Sequence, residues 1–263
     1  MLPVSSALLS AVERIASAAG EVILEVYARD FLVEVKDDSS PVTEADHKAQ
    51  GVIMAGLKAL SAALPILSEE DIPAFTGADA QGRYWLVDPL DGTKEFIKGN
   101  DEFTVNIALI ERGRPVLGVV AVPALGLMYG AAQGVGAFRV NEQGEREAIR
   151  VAGKPAADSP WRALGSRSHS TPALHDWLET LGCHELQPLG SSLKFCRIAE
   201  GEADVYPRFG PTSLWDTAAA QAILEQAGGR VETFDGIPLS YIVPPGAEPQ
   251  DLLNPYFVAW GST

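Results

Sequence analysis

Cysteine is nearly absent: Cys183 and Cys196 are the only two in 263 residues, and they form no Cys-x-x-Cys pair. Thiolate metal centres and dithiol redox chemistry therefore have no residues to stand on, and a chain of this size needs no disulfide staples. A reducing cytoplasm is the expected setting. Positive charge is scarce as well. Twenty Lys and Arg face 35 Asp and Glu, a net charge of −15, which repels phosphate backbones and anionic headgroups over the whole surface. Nucleic-acid polymers and bulk membrane are poor partners for such a chain. A small anionic substrate is admissible only where the site imports positive charge, from divalent metal or from a local Arg/Lys cluster. Long apolar runs are missing too: no uncharged stretch reaches the roughly 18 residues of a membrane span. The first apolar stretch has no basic leader and contains Glu13 and Arg14, which makes it a poor signal peptide.

What is present is ordinary globular material. Hydrophobic residues make up 46% and charged residues 21%, enough apolar surface to build a real core and too much for a disordered chain. The length suits one large domain or two modest ones. Leu8, Val12, Ile15, Ala19, Val22, Ile23 and Val26 recur at three- and four-residue steps, which predicts a long amphipathic first helix. Thr43 is placed to cap a second helix running to about Leu64, with Val52, Ile53, Leu57 and Leu60 as its apolar stripe. Tyr84 to Val87 reads as a short buried strand ending at Asp88, and Phe103 to Val140 as a glycine-punctuated β-meander. The loop from Gly153 to Pro160 is the expected boundary between an N-terminal half, 1–153, and a C-terminal half, 154–263. Strand-like and helix-like stretches alternate beyond it, as in a layered α/β half.

The strongest local signal is Asp88-Pro89-Leu90-Asp91-Gly92-Thr93, where a strand gives way to a short polar helix, Thr93 to Lys98. Two carboxylates at one turn can converge on hard cations, which take oxygen ligands and tolerate a carbonyl such as that of Leu90. Gly92 permits close backbone approach, and the Gly92 and Thr93 amides could meet an anion. The competing explanation is a turn in which Asp91 merely caps a helix. A haloacid-dehalogenase type of phosphatase also ends its signature in Asp-Gly-Thr, but one residue separates its two aspartates. Here Pro89 and Leu90 both intervene, which favours a metal-activated water over an aspartyl-phosphate intermediate. Ser68-Glu69-Glu70-Asp71 places further carboxylates at a strand end, or else a solvated loop. Asp46, three residues after Thr43, fits a capping box with Asp in place of Glu, and Asp216 fits the first turn of another helix.

Taken together, Asp46, Glu69-Glu70, the Asp88-to-Thr93 motif and Trp215-Asp216 with Gly228-Gly229 resemble the inositol monophosphatase superfamily of magnesium-dependent, lithium-sensitive phosphatases, in order and in spacing over nearly the whole chain. Gly190-Ser191-Ser192-Leu193-Lys194-Phe195-Cys196 and the segment from Asp204 to Thr212 are similar to the bacterial bisphosphate-nucleotidase branch. Arg208 stands near the position where true inositol phosphatases carry an acidic residue.

The resemblance implies an α/β fold, a five-layer αβαβα sandwich of the inositol monophosphatase type. It implies two or three Mg²⁺ ions: Glu69, Asp88 and the Leu90 carbonyl around one, and Asp88, Asp91 and Asp216 around a second. Glu69 and Thr93 would orient and deprotonate the attacking water, with Asp46 behind Thr93. Substrate would meet Glu69, Gly92, Thr93, His169, Ser191, Lys194, Arg208 and Asp216. The implied reaction removes the 3′-phosphate of adenosine 3′,5′-bisphosphate, giving AMP, with the sulfated nucleotide as a second substrate and a role in sulfur assimilation. Inositol or fructose bisphosphate hydrolysis is the same-class alternative, and a silent metal or nucleotide sensor the different-class one. Independently of resemblance, five carboxylates in one cleft could not all stay ionised without cations.

Overall fold

The apolar stripe of the first segment becomes α1, Ser6–Tyr27, capped by the Ser5 side chain. The computed structural model describes residues 2–35, 41–167 and 171–261. A two-stranded antiparallel ribbon follows, β1 (Val33–Val35) with β2 (Pro41–Thr43), and leads into α2, Glu44–Leu60. Thr43 caps α2 as expected. The helix stops at Leu60 rather than near Leu64 because Pro65 disfavours helical backbone before it and its carbonyl already accepts from Trp85 N across to the next strand.

Seven strands then form one sheet in sequence order: β3 (Ile66–Ser68), β4 (Arg83–Asp91), β5 (Thr104–Glu111), β6 (Arg114–Val122), β7 (Leu127–Ala132), β8 (Gly136–Val140) and β9 (Arg146–Ala148). All neighbours are antiparallel except β3 with β4. A one-and-a-half-turn helix, α3 (Thr93–Lys98), interrupts the run between β4 and β5. The remaining elements are β10 (Trp161–Ser166), α4 (Pro172–Glu179), β11 (His184–Leu189), α5 (Leu193–Ala199), β12 (Val205–Arg208), α6 (Ala218–Gln226), β13 (Arg230–Thr233) and β14 (Phe257–Trp260). Their strands make a mixed five-stranded sheet in the order β11-β10-β12-β14-β13.

Side-chain alternation along the strands sorts the core into layers. Trp85, Val87, Val105, Ile107, Leu109 and Val119 of the first sheet pack against Leu9, Val12, Ile23 and Ile53 of α1 and α2. The opposite face presents Tyr84, Leu86, Ala108, Ile110 and Val120 to α5 and α6, whose far side meets Tyr206, Val231 and Phe257 of the second sheet. Ala163, Val205 and Val258 on that sheet's outer face take Leu174 and Leu178 of α4. The order is helix, sheet, helix, sheet, helix: the five-layer sandwich expected from the sequence resemblance.

In the middle layer α6 opens with three alanines, Ala218 to Ala220, which lets it approach the first sheet closely. A Cβ on Gly118 of β6 would lie 2.1 Å from the Ala219 carbonyl oxygen, so α6 touches the sheet backbone directly. Neither backbone can yield without displacing a layer. Gly118→Ala should therefore cost about 1–3 kcal/mol or more through overpacking, and a thermal melt should show a midpoint lowered by several degrees. An unchanged midpoint would mean that the helix and sheet separate freely here.

Candidate active site

Asp88 and Asp91 are three residues apart on one strand, a spacing that should send them to opposite faces. A β-bulge prevents this. Asp88 pairs with Asn106 and Asp91 with Thr104, so two residues of β4 stand opposite Val105 alone, and the alternation is reset. Leu90 enters the α1/α2 layer, while both carboxylates turn toward α5 and α6. There they meet Asp216, carried on the short 3-10 turn Leu214–Asp216 that leads into α6. Asp88, Asp91 and Asp216 each offer a carboxylate oxygen within 4.8 Å of the others.

Their hydrogen bonding leaves room for a cation. Asp88 is wholly buried, with Oδ1 accepting from Leu90 N at 3.0 Å and Oδ2 meeting no donor. A dehydrated, unpartnered carboxylate oxygen is costly unless a positive charge faces it. Asp91 Oδ2 accepts from Ser192 N at 2.6 Å, Asn106 Nδ2 at 3.4 Å and Thr104 Oγ1 at 3.5 Å. Asp216 Oδ2 accepts from Ser213 N at 2.8 Å in a capping box. One carboxylate oxygen of each aspartate is thus used to fix the side chain. The chemistry of the set, hard oxygens around an orphaned one, fits a divalent metal of the Mg²⁺ or Ca²⁺ kind.

Glu69 opens the 3-10 segment Glu69–Ala74 after β3, and its charge acts on both Asp88 and Asp216. Burial, reinforced by Glu69, Asp91 and Asp216, pushes the Asp88 carboxyl well above the usual range. Burial followed by Asp91 and Glu69 does the same to Asp216. Asp91 is raised by burial, against the opposing pull of Lys194.

These shifts set the sign of a pH effect on the metal-free protein. A raised native pKa means that, between the unfolded carboxylate value near ~4 and the native one, the folded state holds more protons. That contribution to stability is complete at low pH and is lost as pH rises through the native values. A divalent cation replaces the missing protons. The rise in Tm on adding Mg²⁺ to chelated protein should therefore grow with pH from about 5 to about 8; a Tm gain independent of pH would contradict it.

Both explanations offered for Asp46 hold at once. Its Oδ2 accepts from Thr43 N and Thr43 Oγ1, each at 2.7 Å, completing the capping box. Its Oδ1 lies 3.4 Å from Thr93 Oγ1, whose other acceptor is the Leu90 carbonyl at 3.2 Å. The cap thereby places a buried carboxylate behind the Thr93 hydroxyl, and burial raises its pKa. Gly92, with φ of 91°, packs beside Ser191: a Cβ there would sit 3.4 Å from the Ser191 Cβ and 3.1 Å from the Glu102 carbonyl.

Positive charge enters from the second half. Lys194 on α5 is buried, its ammonium donating to the Leu189 carbonyl at 3.2 Å and the Ser191 carbonyl at 2.5 Å and lying 5.1 Å from the centre of the Tyr206 ring. Burial lowers its pKa to about 8, with Arg208 adding to the effect and Asp91 opposing it. Arg208, also buried, donates from Nε to the Gly210 carbonyl at 3.3 Å and from Nη2 to the Pro211 carbonyl at 2.9 Å. Its charge reaches Asp216 and Lys194. Two buried cations thus act electrostatically on the carboxylate trio, Lys194 on Asp91 and Arg208 on Asp216.

The model of the inositol monophosphatase family matches residues 5–258. The chain belongs to that family. Within the family it is 48% identical over 252 residues to the 3′(2′),5′-bisphosphate nucleotidase CysQ of Escherichia coli strain K12, covering 95% of this chain and 98% of the relative. The protein of that name from Salmonella typhimurium is 49% identical over the same shares. Among solved structures, CysQ from Bacteroides thetaiotaomicron, described as a bacterial member of the inositol monophosphatase family, superposes with a TM-score of 0.79 at 40% identity, covering 98% of each chain.

Of the residues expected at the site of this family member, Asp46, Glu69, Asp88, Leu90, Asp91, Gly92, Thr93, Ser191, Lys194, Arg208 and Asp216 are grouped in this region by the contacts and couplings above, while His169 lies outside the described residues. Sequence reasoning missed Thr104, Asn106 and Ser192. Ser192 Oγ bonds Asn106 Oδ1 at 2.7 Å and lies 2.9 Å from Thr104 Oγ1. The signal is legible: Thr104 and Asn106 are polar residues two apart at the start of a strand whose next four residues, Ile107 to Ile110, are apolar, on the face that Asp88 uses. Among the described residues no helix is long and apolar enough to cross a membrane.

Proposed function

We propose that the chain is a 3′(2′),5′-bisphosphate nucleotidase that hydrolyses the 3′-phosphate of adenosine 3′,5′-bisphosphate, giving AMP and phosphate, with Mg²⁺ as cofactor. The observation that carries this reading is the pairing of two unlike groups that act on each other electrostatically. Asp88, Asp91 and Asp216 supply hard oxygens around an unpartnered one, and Lys194 and Arg208 supply buried positive charge beside them. A substrate with two phosphates needs both kinds.

Glu69, Asp88, the Leu90 carbonyl, Asp91 and Asp216 would hold the cations, Asp88 shared between two. When bound, Mg²⁺ supplies Lewis acidity toward the phosphoryl oxygens and the leaving oxygen. Thr93, held by Asp46 and the Leu90 carbonyl, positions the attacking water, and Glu69 takes its proton, a role that needs an ionised carboxylate within hydrogen-bond reach. Gly92 lets the turn close on Ser191 and the Glu102 carbonyl, and the scissile phosphate is assigned to the Gly92 and Thr93 amides. Ser191, Lys194 and Arg208 bind the phosphate that is not cleaved; an arginine fork and a lysine point charge both suit it. His169 is assigned to the same nucleotide region. The two halves, 1–153 and 154–263, divide the work: metal ligands come chiefly from the first, and Asp216 and nucleotide recognition from the second. We place the enzyme in the cytoplasm, with sulfated nucleotides as secondary substrates.

A phosphate-release panel tests the reading. Adenosine 3′,5′-bisphosphate should be turned over with a higher kcat/KM than inositol 1-phosphate or fructose 1,6-bisphosphate, and excess chelator should abolish all three activities. Preference for inositol 1-phosphate would overturn the substrate; full activity in chelator, or an acid-stable aspartyl-phosphate, would overturn the mechanism.

A further inference from the structure

One carboxylate sits where a phosphate-binding loop would be expected to avoid it. Glu102, in the segment between α3 and β5, has a side chain only 15% exposed. Its Oε2 accepts from the backbone N of Gly190 at 2.7 Å and from Arg167 Nε at 3.1 Å, while Oε1 takes Arg167 Nη2 at 2.5 Å. Arg167 also donates to the Pro188 carbonyl at 3.2 Å. Gly165 and Ser166 at the end of β10 pair with Pro188 and Leu189 at the end of β11. The pair therefore ties the segment leading into β5 of the first sheet to the ends of two strands of the second sheet.

The backbone of residue 102 also works as a spacer. Its carbonyl oxygen would lie 3.1 Å from a Cβ on Gly92 and 2.8 Å from one on Gly190, so both glycines close on it. Beyond this point the loop is fixed by Ser192 N on Asp91 at 2.6 Å. Gly190 and Ser191 thus hang between an anchor on Asp91 and an anchor on Glu102.

We infer that Glu102 and Arg167 are a positioning pair that sets the separation between the metal turn and the 188–192 loop, and thereby the selectivity for substrates carrying a second phosphate. This rests on the proposed placing of that phosphate at Ser191, Lys194 and Arg208. Glu102 holds the loop through Gly190 N, and Arg167 has two tasks: it locks the carboxylate in a fork and cancels its charge. Bare, the carboxylate would repel the phosphate that its loop is there to bind.

The charge argument gives a signature that a merely structural contact would not. Arg167→Ala should lower the ratio of kcat/KM for adenosine 3′,5′-bisphosphate over inositol 1-phosphate by roughly tenfold, chiefly through KM for the nucleotide, because an unneutralised like charge acts on the second phosphate. Adding Glu102→Gln to that variant should recover most of the ratio, since the amide oxygen still accepts from Gly190 N without repelling phosphate. Arg167→Lys should lose less than Arg167→Ala. Hydrogen exchange at the 189–192 amides, read without substrate, should be faster in Glu102→Ala than in the wild type. Equal losses for both substrates, no recovery in the double variant, or unchanged exchange would each overturn the inference. A wild-type enzyme that prefers inositol 1-phosphate would instead overturn the substrate assignment, and the exchange measurement would still judge the pair.

Discussion

Asp88→Asn should reduce kcat by roughly a hundredfold or more, the loss expected when an electrostatic contact worth about 3 kcal/mol in the transition state is removed. The reasoning starts from the orphaned Oδ2 atom. Asn can keep its carbonyl oxygen toward Leu90 N, where Asp88 Oδ1 accepts now, and would present an amide NH₂ where the unpartnered oxygen stands. A donor in that place repels a cation. Protein stability should move the other way. Asp88 is raised by burial and by three neighbouring carboxylates, so removing its charge relieves repulsion in the metal-free fold. Melting in chelator should show the variant as stable as the wild type or more so, while the Mg²⁺-induced rise in Tm largely disappears. A folded variant that retains more than half of wild-type turnover would remove Asp88 from the metal site.

The second large effect is selective. Arg208→Gln should lower kcat/KM for adenosine 3′,5′-bisphosphate more than tenfold, because a charge-assisted hydrogen bond to phosphate is worth roughly 1.5 to 3 kcal/mol and each 1.4 kcal/mol is a factor of ten. Inositol 1-phosphate has no second phosphate, so its turnover should change much less. Arg208 also holds the Gly210 and Pro211 carbonyls, and loosening that turn would depress both substrates alike. The ratio between them therefore separates recognition from structure. Equal proportional losses would make Arg208 a residue of the 210–211 turn only and would place nucleotide specificity elsewhere. Loss for the nucleotide alone would assign it to the uncleaved phosphate.

Much of the site was legible because its residues lie at ends of regular elements, where sequence patterns are sharpest. The capping box at Thr43 and Asp46 is a local motif, and it forms as read. The short helix Thr93–Lys98 has the predicted limits, set by Gly92 and Gly99, both with positive φ and flanking the helix. The β4 strand extends past the expected Tyr84 to Val87, through Asp91, although Pro89 and the charged Asp88 and Asp91 are unfavourable strand residues. In the fold they are admitted by a bulge and by partners from other layers. The Lys194 ammonium, expected from the sequence as a phosphate ligand, secures the carbonyls of Leu189 and Ser191, a local use of charge that side-chain type alone does not announce.

By itself the sequence determined the amphipathic helices, the meander, the helix caps and the set of acidic residues able to take a metal, because each is written in spacing over a few neighbouring positions. Only the tertiary structure decided which of those acids share a face. Asp88 and Asp91 turn the same way through a register shift against Asn106 and Thr104, and Asp216 joins them from more than a hundred residues away because α6 lies flush on Gly118. The Glu102–Arg167 tie was equally invisible. Its partners lie in segments that flank two different sheets, before β5 and after β10, and whether two distant charges meet depends on how layers stack, which no local period encodes.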